Sequence, residues 1–247
     1  MCIRDRFNGV TDVALLEFEV RDFLNKTAPR RMGVLDPLKV VLVNYPEGES
    51  EQVEARNNPE DPDAGVRNLP LGRELWIERD DFMIEAPKKY FRLAPGRAVR
   101  LRGGYIIQYA GHLCDPETGE VTEVHCEFLP GTIGQSAPEG VVCKAAIHWV
   151  NAADAVDAEL RLYERLFTAE NPDAAEGGFL SVLNPEGLSI VKGAKLEPGL
   201  DGVEPGFVCQ FERIGYFCAD AQDHVPGERI VFNRTIGLRD SWAKKKG

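Results

Sequence analysis

Near the start of the sequence, apolar residues recur at helical spacing. They are Val13, Leu16, Val20, Phe23 and Leu24. This stripe predicts one amphipathic helix over residues 11–26, with Thr11 as a suitable N-cap. Pro29 ends the helix, because the residue before a proline is pushed out of the helical region. This part of the chain is therefore expected to be a short helical segment.

After residue 30 the apolar period changes to two, which is typical of half-buried strands. Strand-like runs occur at 39–45, 74–77, 99–107, 124–128, 143–149 and 207–211. Turn residues separate them, for example at 115–119 and 129–131. Many short strands at near-regular spacing predict a mostly β fold of barrels or sandwiches rather than a doubly wound α/β domain. Helical pattern is otherwise expected only at 80–82 or 152–156, and the polar, acidic, proline-rich stretch 47–68 is predicted to be a long surface excursion.

Composition narrows the class of protein. The 247 residues are 43% hydrophobic and carry a formal charge of −11, which fits a globular protein and argues against one that coats nucleic acid generally. A local basic surface can still attract phosphate, because acidic charges more than roughly 8 Å away are largely screened at physiological salt. The sequence shows no apolar run of membrane-spanning length and no signal peptide. Residues 1–6 resemble a translated sequencing adaptor, so we expect an artefact joined to part of a longer protein; the alternative is a natural polar tail.

The residues usually found in metal and catalytic sites are scattered. The six cysteines form no CxxC pair and the four histidines are dispersed, which disfavours a zinc site and indicates reduced thiols in a cytoplasmic protein. There is no phosphate-binding GxxxxGK[ST] loop, no GxSxG elbow and no HExxH motif. We therefore expect no catalytic residue, metal or cofactor in this chain.

The segment 88–102 reverses the overall charge. Tyr90 and Phe91 lie within it, and it contains six basic residues and no acidic one. Basic side chains neutralise phosphates, and aromatic rings stack on unpaired bases. The alternative is a solvated strand face balanced by charges elsewhere. Weaker basic clusters occur at Lys26, Arg30 and Arg31, and at 244–246. These features favour, without establishing, a single-stranded RNA surface on a mostly β protein.

Several longer strings are more specific. They lie at 25–32, 34–39, 74–82, 147–150, 161–167, 210–213, 215–217 and 231–240. In order and spacing they resemble the C-terminal part of bacterial-type glutaminyl-tRNA synthetases, over residues 9–243. The resemblance implies two β-barrels after a short helical connector. It implies a connector at 7–34, a proximal barrel at 35–90 and 171–243, and a distal barrel inserted at 91–170.

The resemblance also implies roles in anticodon binding. Arg30 and Gln210 match positions that read the middle base, and Arg213 lies in the same element. Arg92 matches a position that reads the third base, and Arg100 one that contacts the first base. The chain departs from the family at Lys89, where well-known members have glutamine, and at Phe91, where they have lysine. Both lie at the first and third base pockets. The implied site is therefore Arg30, Lys89, Arg92, Arg100, Gln210 and Arg213.

The implied partner is glutamine tRNA, bound by a monomer, without a DNA or membrane partner. The family's HIGH-type and MSK-type motifs, which bind ATP, do not occur in this sequence. The resemblance thus assigns ATP and magnesium to a catalytic half outside this chain, and we expect the chain alone not to aminoacylate tRNA. Two alternatives stay open: part of a related glutamyl-tRNA synthetase, which the ending at 233–243 disfavours, and a free-standing RNA-binding β-barrel module. A β-barrel hydrolase has little support, because no nucleophile motif is present.

Overall fold

The structure is a computed structural model that describes residues 13–239. The predicted N-cap Thr11, the proposed artefact at 1–6 and the lysines at 244–246 lie outside the described residues.

Helix α1 spans Val13–Thr27, close to the predicted 11–26. Its C-terminal carbonyls, which have no partner inside a helix, accept hydrogen bonds from side chains. Arg30 Nη2 donates to Asn25 O at 2.9 Å, and Asn58 Nδ2 donates to Lys26 O at 2.9 Å. The helix therefore ends on two side chains that follow it in the sequence. No helix in the described part of the chain is long and apolar enough to cross a membrane.

Strands dominate the rest of the chain, which confirms the mostly β prediction. Their bounds are β1 Arg30–Arg31, β2 Gly33–Val34, β3 Pro37–Leu42, β4 Ser50–Arg56, β5 Val66–Gly72, β6 Glu74–Glu78, β7 Ala98–Leu101, β8 Ile106–Cys114, β9 Val121–Leu129, β10 Cys143–Ile147, β11 Val150–Asn151, β12 Val156–Tyr163, β13 Leu188–Leu196, β14 Val208–Phe211, β15 Gly215–Ala219 and β16 Val231–Gly237.

The first barrel is formed within residues 37–151. Its sheet has the strand order β10-β7-β8-β9-β3-β6-β11, with β3–β9 and β7–β10 parallel and the other pairs antiparallel. Alternate residues of these strands fill one interior, as the period-two pattern requires. Leu38, Ile77, Val99, Ile107 and Trp149 are among the buried side chains.

The second barrel combines 30–34 with 156–237. Its sheet has the order β1-β14-β15-β16-β12-β13-β2. The rings of Phe211 and Phe217 stack with centroids 4.5 Å apart, and Phe232 lies 5.5 Å from Phe211. These three aromatic residues belong to the buried core of this barrel, and each buries a large apolar area.

The strand pairing divides the chain differently from the predicted domain ranges. Residues 35–90 were assigned to the proximal barrel, but β3 and β6 belong to the same sheet as β7–β10. Residues 156–170 were assigned to the distal barrel, but β12 pairs with β13 and β16. The inserted barrel is therefore 37–151. The parallel pairing of β3 with β9 places β3 in the inserted barrel. The sequence does not predict this pairing, because a contact between distant residues leaves no periodic pattern along the chain.

The predicted excursion at 47–68 is wrong at 50–56 and 66–68, which belong to strands. Strands β4 and β5 form an antiparallel hairpin that pairs from Ser50–Gly72 to Arg56–Val66. Val53, Leu69 and Leu71 of this hairpin are buried in the first-barrel core. The polar residues that suggested a loop occupy its solvent-facing positions.

Of the two short helices considered, only the first exists. A 3-10 turn forms at Arg79–Asp81, whereas 152–154 is a turn that leads directly into β12. The 3-10 turn places Asp81 at the boundary between the two barrels, where it contacts residues of both.

Candidate nucleic-acid interface

The loop between β6 and β7 contains the first part of the predicted basic segment, 88–97. Lys88 and Lys89 are exposed, and neither Nζ has a hydrogen bond or ion pair with the described residues. Arg97 has an internal role instead, because its guanidinium donates to the carbonyls of Ala86, Pro87 and Tyr90. Arg97 thus sets the shape of the loop, and the two lysines remain available to a ligand.

Beside this loop lies an open cavity of about 280 Å³. Phe91 forms part of its wall with 49% of its surface exposed, and Lys144 Nζ lies 5.3 Å from the centre of the Phe91 ring. The remaining lining residues are Lys88, Tyr90, Gly96, Arg97, Ala98, Gln108, Gly140, Val141 and Val142. An exposed ring beside Lys144, in a cavity that Lys88 also lines, suits a flat, electron-rich group attached to a phosphate.

Tyr90, which is part of this loop, is held in place by its hydroxyl group. Its hydroxyl donates to Asp80 O at 3.0 Å. Burial, followed by the charge of Asp81, raises the pKa of Tyr90 to about 12. The phenol is therefore neutral at physiological pH and acts as a structural donor.

Arg92 keeps two donors free. Its Nη1 donates to Asp80 O at 3.1 Å and lies 3.1 Å from Asp81 Oδ1. Its Nε and Nη2 make no hydrogen bond with the described residues, and 41% of the side chain is exposed. Nε–H and Nη2–H point in the same direction, which gives the fork that binds a base edge or a phosphate with two hydrogen bonds.

Arg100 is used differently from the predicted first-base contact. Its Nη1 donates to Thr132 O at 2.6 Å and its Nη2 to Gln135 O at 2.5 Å. Both ends of the guanidinium thus hold the turn after β9. As the structure stands, only Nε remains for a ligand.

Arg30 and Gln210 are brought together as register partners of the parallel pair β1–β14. Arg30 is 3% exposed, and its Nη1 donates to Ala28 O at 2.7 Å while Nη2 binds Asn25. The Gln210 amide is 7% exposed and faces the Tyr216 hydroxyl, whose pKa is raised chiefly by burial. Both side chains are therefore buried, and both Nη atoms of Arg30 already have partners within the protein.

Arg213 lies in the turn between β14 and β15, with a backbone φ of +69°. Its Nη1 and Nη2 donate to the two carboxylate oxygens of Asp81 at 2.6 and 2.7 Å. Burial opposes the charge of Arg213, but the hydrogen bonds and charge of Asp81 outweigh it and raise the pKa of the guanidinium. The residue expected to assist the middle base therefore joins the second barrel to the first.

The six predicted site residues form separate groups. Arg30 and Gln210 are adjacent, and Arg92 and Arg213 meet through Asp81. Lys89 lies on the loop between β6 and β7 and pairs with none of the other five residues, and Arg100 lies on β7. Sequence reasoning missed Asp81, which is an ordinary acidic residue within an acid-rich string and gives no sign of its burial. It also missed Lys144, since a single lysine in a β-strand has no distinguishing pattern.

Residues 13–239 contain no group of three or more His, Cys, Asp or Glu side chains placed to hold a metal ion. Burial raises the pKa of the thiols of Cys126 and Cys209 far above their usual range. These thiols therefore stay protonated and do not act as nucleophiles. The interface offers hydrogen-bond donors, positive charge and exposed rings.

Two family models match this chain. Both describe the anticodon-binding domain of class I (E and Q) tRNA synthetases, one over residues 28–129 and the other over 146–220. Together they cover most of the chain and both barrels. The fold and the interface thus define an anticodon-binding domain, and the chain belongs to this class I (E and Q) tRNA synthetase family.

Similar curated proteins point to one member of that family. The chain is 53% identical to a glutamine–tRNA ligase of Nitrobacter winogradskyi and 51% identical to one of Pseudomonas putida. Each match covers 96% of this chain and 42% of the relative. Over 94% it is 52% identical to a glutamine–tRNA ligase of Bordetella pertussis, of which it covers 39%. The chain thus spans about two fifths of the length of the curated relatives that it matches.

Proposed function

We propose that this chain binds glutamine tRNA by its anticodon, as the C-terminal part of a glutamine–tRNA ligase. The observation that supports this most directly is the loop between β6 and β7. It combines two unpaired lysines, an exposed phenylalanine at a cavity, and an arginine with a free two-donor fork. Each group matches one part of an unpaired nucleotide: phosphate, base face and base edge.

The overall charge of −11 does not oppose this assignment. One buried carboxylate, that of Asp81, is shared by the guanidiniums of Arg92 and Arg213, so this group of three side chains keeps a net positive charge. Lys88 and Lys89 have no such partner among residues 13–239. The phosphate backbone of RNA therefore meets positive charge at this loop, although the protein as a whole is acidic.

The identity of the tRNA rests on the relatives. Each of the three named above is a glutamine–tRNA ligase, which favours glutamine tRNA over glutamate tRNA. In the whole protein, ATP and magnesium would bind a catalytic portion outside this chain. We further propose a cytoplasmic monomer with no DNA or membrane partner.

A binding titration tests the proposal. The chain is titrated with an unmodified glutamine tRNA transcript and with the same transcript changed at the middle anticodon base. We expect a loss of affinity of about 5- to 150-fold, since one base-edge contact discriminates by about 1–3 kcal/mol. Equal binding of both transcripts by the folded chain would contradict anticodon reading.

Aminoacylation separates the chain's own role from that of the whole protein. With ATP, magnesium, glutamine and glutamine tRNA, the purified chain should form no glutaminyl-tRNA. A glutamine–tRNA ligase from Pseudomonas putida serves as the positive control in the same reaction. ATP-dependent charging by the chain alone would refute the assignment of catalysis to another portion.

A further inference from the structure

The boundary between the barrels contains one wholly buried carboxylate, that of Asp81 at 0% exposure. It comes from the 3-10 turn that follows β6. A group with no exposed surface does not contact a ligand itself. Its partners are two guanidiniums that come from different barrels: Arg92 from the basic loop and Arg213 from the β14–β15 turn.

Asp81 fixes the orientation of Arg213. Two hydrogen bonds of 2.6 and 2.7 Å align the guanidinium with the carboxylate plane. On its other side, Arg213 Nη1 lies 3.3 Å from His148 Nδ1, and His148 Nε2 lies 3.4 Å from Glu78 Oε1. The φ of +69° at Arg213 is disfavoured for a residue with a side chain and persists where surrounding contacts hold it. Asp81 supplies the strongest of those contacts.

Asp81 also orients Arg92, but it holds only one end of that guanidinium. Only Nη1 of Arg92 is held, by Asp80 O and Asp81 Oδ1. The Nε and Nη2 donors are left on the exposed side as a fork. A long side chain held at one end loses less conformational entropy when it binds, which favours affinity and selectivity. Without Asp81, the fork would have to be ordered by the ligand.

We propose that Asp81 is a positioning residue for anticodon recognition. It sets the direction of the Arg92 fork and ties it to Arg213, which lies three residues after Gln210. The contacts to the third and middle bases are thereby presented at a fixed spacing across two barrels. This inference rests on the proposed function, and it adds a residue that does not touch the RNA.

Two substitutions test it from both sides of the contact. Asp81→Asn keeps the shape of the side chain and removes its charge. Arg92→Lys keeps a cation facing Asp81 and removes the fork. Each should reduce discrimination at the third anticodon base by about 5- to 150-fold, the value of one bidentate contact.

The matched control is Glu212→Gln. Glu212 also joins the barrels, through Arg102 Nε at 3.0 Å, but its side chain forms no ion pair with Arg92 or Arg213. If the barrels merely need to be held together, Glu212→Gln and Asp81→Asn should weaken all tRNAs alike. If Asp81 positions Arg92, only Asp81→Asn should alter base preference.

The measurement is binding of the full chain to three glutamine tRNA transcripts: cognate, altered at the middle base and altered at the third base. Circular dichroism and thermal unfolding establish that each variant is folded. We expect third-base discrimination to be lost in Asp81→Asn and Arg92→Lys, retained in Glu212→Gln, and not further reduced in the Asp81→Asn, Arg92→Lys double variant.

The outcomes separate the two proposals. If the unaltered chain binds all three transcripts equally, the proposed function fails and this inference fails with it. If the unaltered chain discriminates but a folded Asp81→Asn variant keeps its third-base preference, only the inference is overturned. Should Asp81→Asn not fold, Arg92→Lys decides: a retained third-base preference in that variant overturns the positioning role.

Discussion

Arg30 and Gln210 are direct register partners in the parallel pair β1–β14, although they are far apart in the sequence. The Arg30 backbone N–H donates to Asn57 O rather than to β14, while the Gln210 N–H donates to Pro29 O at 2.9 Å. The two side chains therefore meet where the helix, the hairpin β4–β5 and the second barrel come together. The position proposed to read the middle base is thus also a structural junction.

This junction predicts different results for the two residues. Gln210→Ala should remove about 1–3 kcal/mol of discrimination at the middle anticodon base and little stability, because the amide has few internal partners. Arg30→Ala should also lower the free energy of unfolding by about 1–3 kcal/mol, since its guanidinium satisfies carbonyls of Ala28 and Asn25. Transcript titrations and urea unfolding measure the two effects. Equal weakening for every anticodon in Gln210→Ala would instead indicate a backbone contact.

Lys88 should contact phosphate, because it is exposed and has no internal partner. Lys88→Ala should weaken binding to the cognate and altered anticodons by the same factor. The slope of log affinity against log salt should fall in magnitude by about 0.7 for one contact on a single strand. Lys192→Ala, an exposed lysine on β13, is the charge-matched control and should change neither quantity. A shift in base preference in Lys88→Ala would refute the phosphate assignment.

Phe91 should stack on an unpaired base at the cavity. Phe91→Ala should weaken tRNA binding by about 1–3 kcal/mol, the value of one base stacked on an aromatic ring. The salt slope should stay unchanged, because no charge is removed. Phe91→Tyr keeps the ring and should bind like the unaltered chain. A Phe91→Ala variant that binds with full affinity would show that the Lys144–Phe91 contact serves the protein alone.

The sequence predicted the mostly β fold and the helix well, because both leave a periodic signal over many residues. The sequence also indicated the basic segment 88–102, whose first part lies in the loop before β7. It assigned the barrels incorrectly since β3 and β9 pair in parallel across a long separation, and no local pattern records that contact. The hairpin β4–β5 was missed because only Val53, Leu69 and Leu71 face the core among many charged neighbours.

The roles of the candidate site residues stay predictions. Matching positions suggested Arg30, Gln210 and Arg92, but residue type does not reveal which donors a fold has already used. Arg100 and Arg213 show this limit, since carbonyls and Asp81 take the Nη ends of each. Burial of a single carboxylate depends on three-dimensional packing. Asp81 could therefore be found only in the structure.

Glu197 provides a further connection between the barrels. Its carboxylate accepts two hydrogen bonds from Arg67 at 2.6 and 2.8 Å and one from Met32 N at 2.7 Å, and it is almost wholly buried. Glu197→Gln should lower the free energy of unfolding by about 3–5 kcal/mol, because Arg67 is left without a counter-charge at a largely buried site. Urea unfolding measures this loss.

The control for Glu197 is an exposed ion pair of the same barrel. Asp157 pairs with Lys195 and is largely exposed, so Asp157→Asn should cost less than about 1 kcal/mol. Similar losses for the two variants would mean that burial does not strengthen the Glu197 contacts.

Asp220 should make the free energy of unfolding depend on pH under acidic conditions. One of its oxygens accepts from the backbone N–H groups of Asp223 and Gln222 at 2.7 and 2.8 Å, and the other from Asn233 Nδ2 at 2.6 Å. These hydrogen bonds, chiefly that of Asp223, lower the pKa of Asp220 to about 2. An aspartate in the unfolded chain titrates near about 3.9. Because the folded pKa is the lower one, Asp220 stabilises the fold above the unfolded value and loses this contribution as pH falls through about 2.

Replacing the ionisable group isolates this effect. In Asp220→Asn, the amide oxygen can still accept from the backbone, but the position no longer titrates. The stability advantage of the unaltered chain over Asp220→Asn should be constant from pH 7 to pH 5 and should shrink steadily between about pH 4 and pH 2. Urea unfolding of both proteins across this range measures the difference. If that difference stays constant down to pH 2, the contacts of Asp220 do not favour its charged form, and the acid sensitivity of the second barrel has another origin.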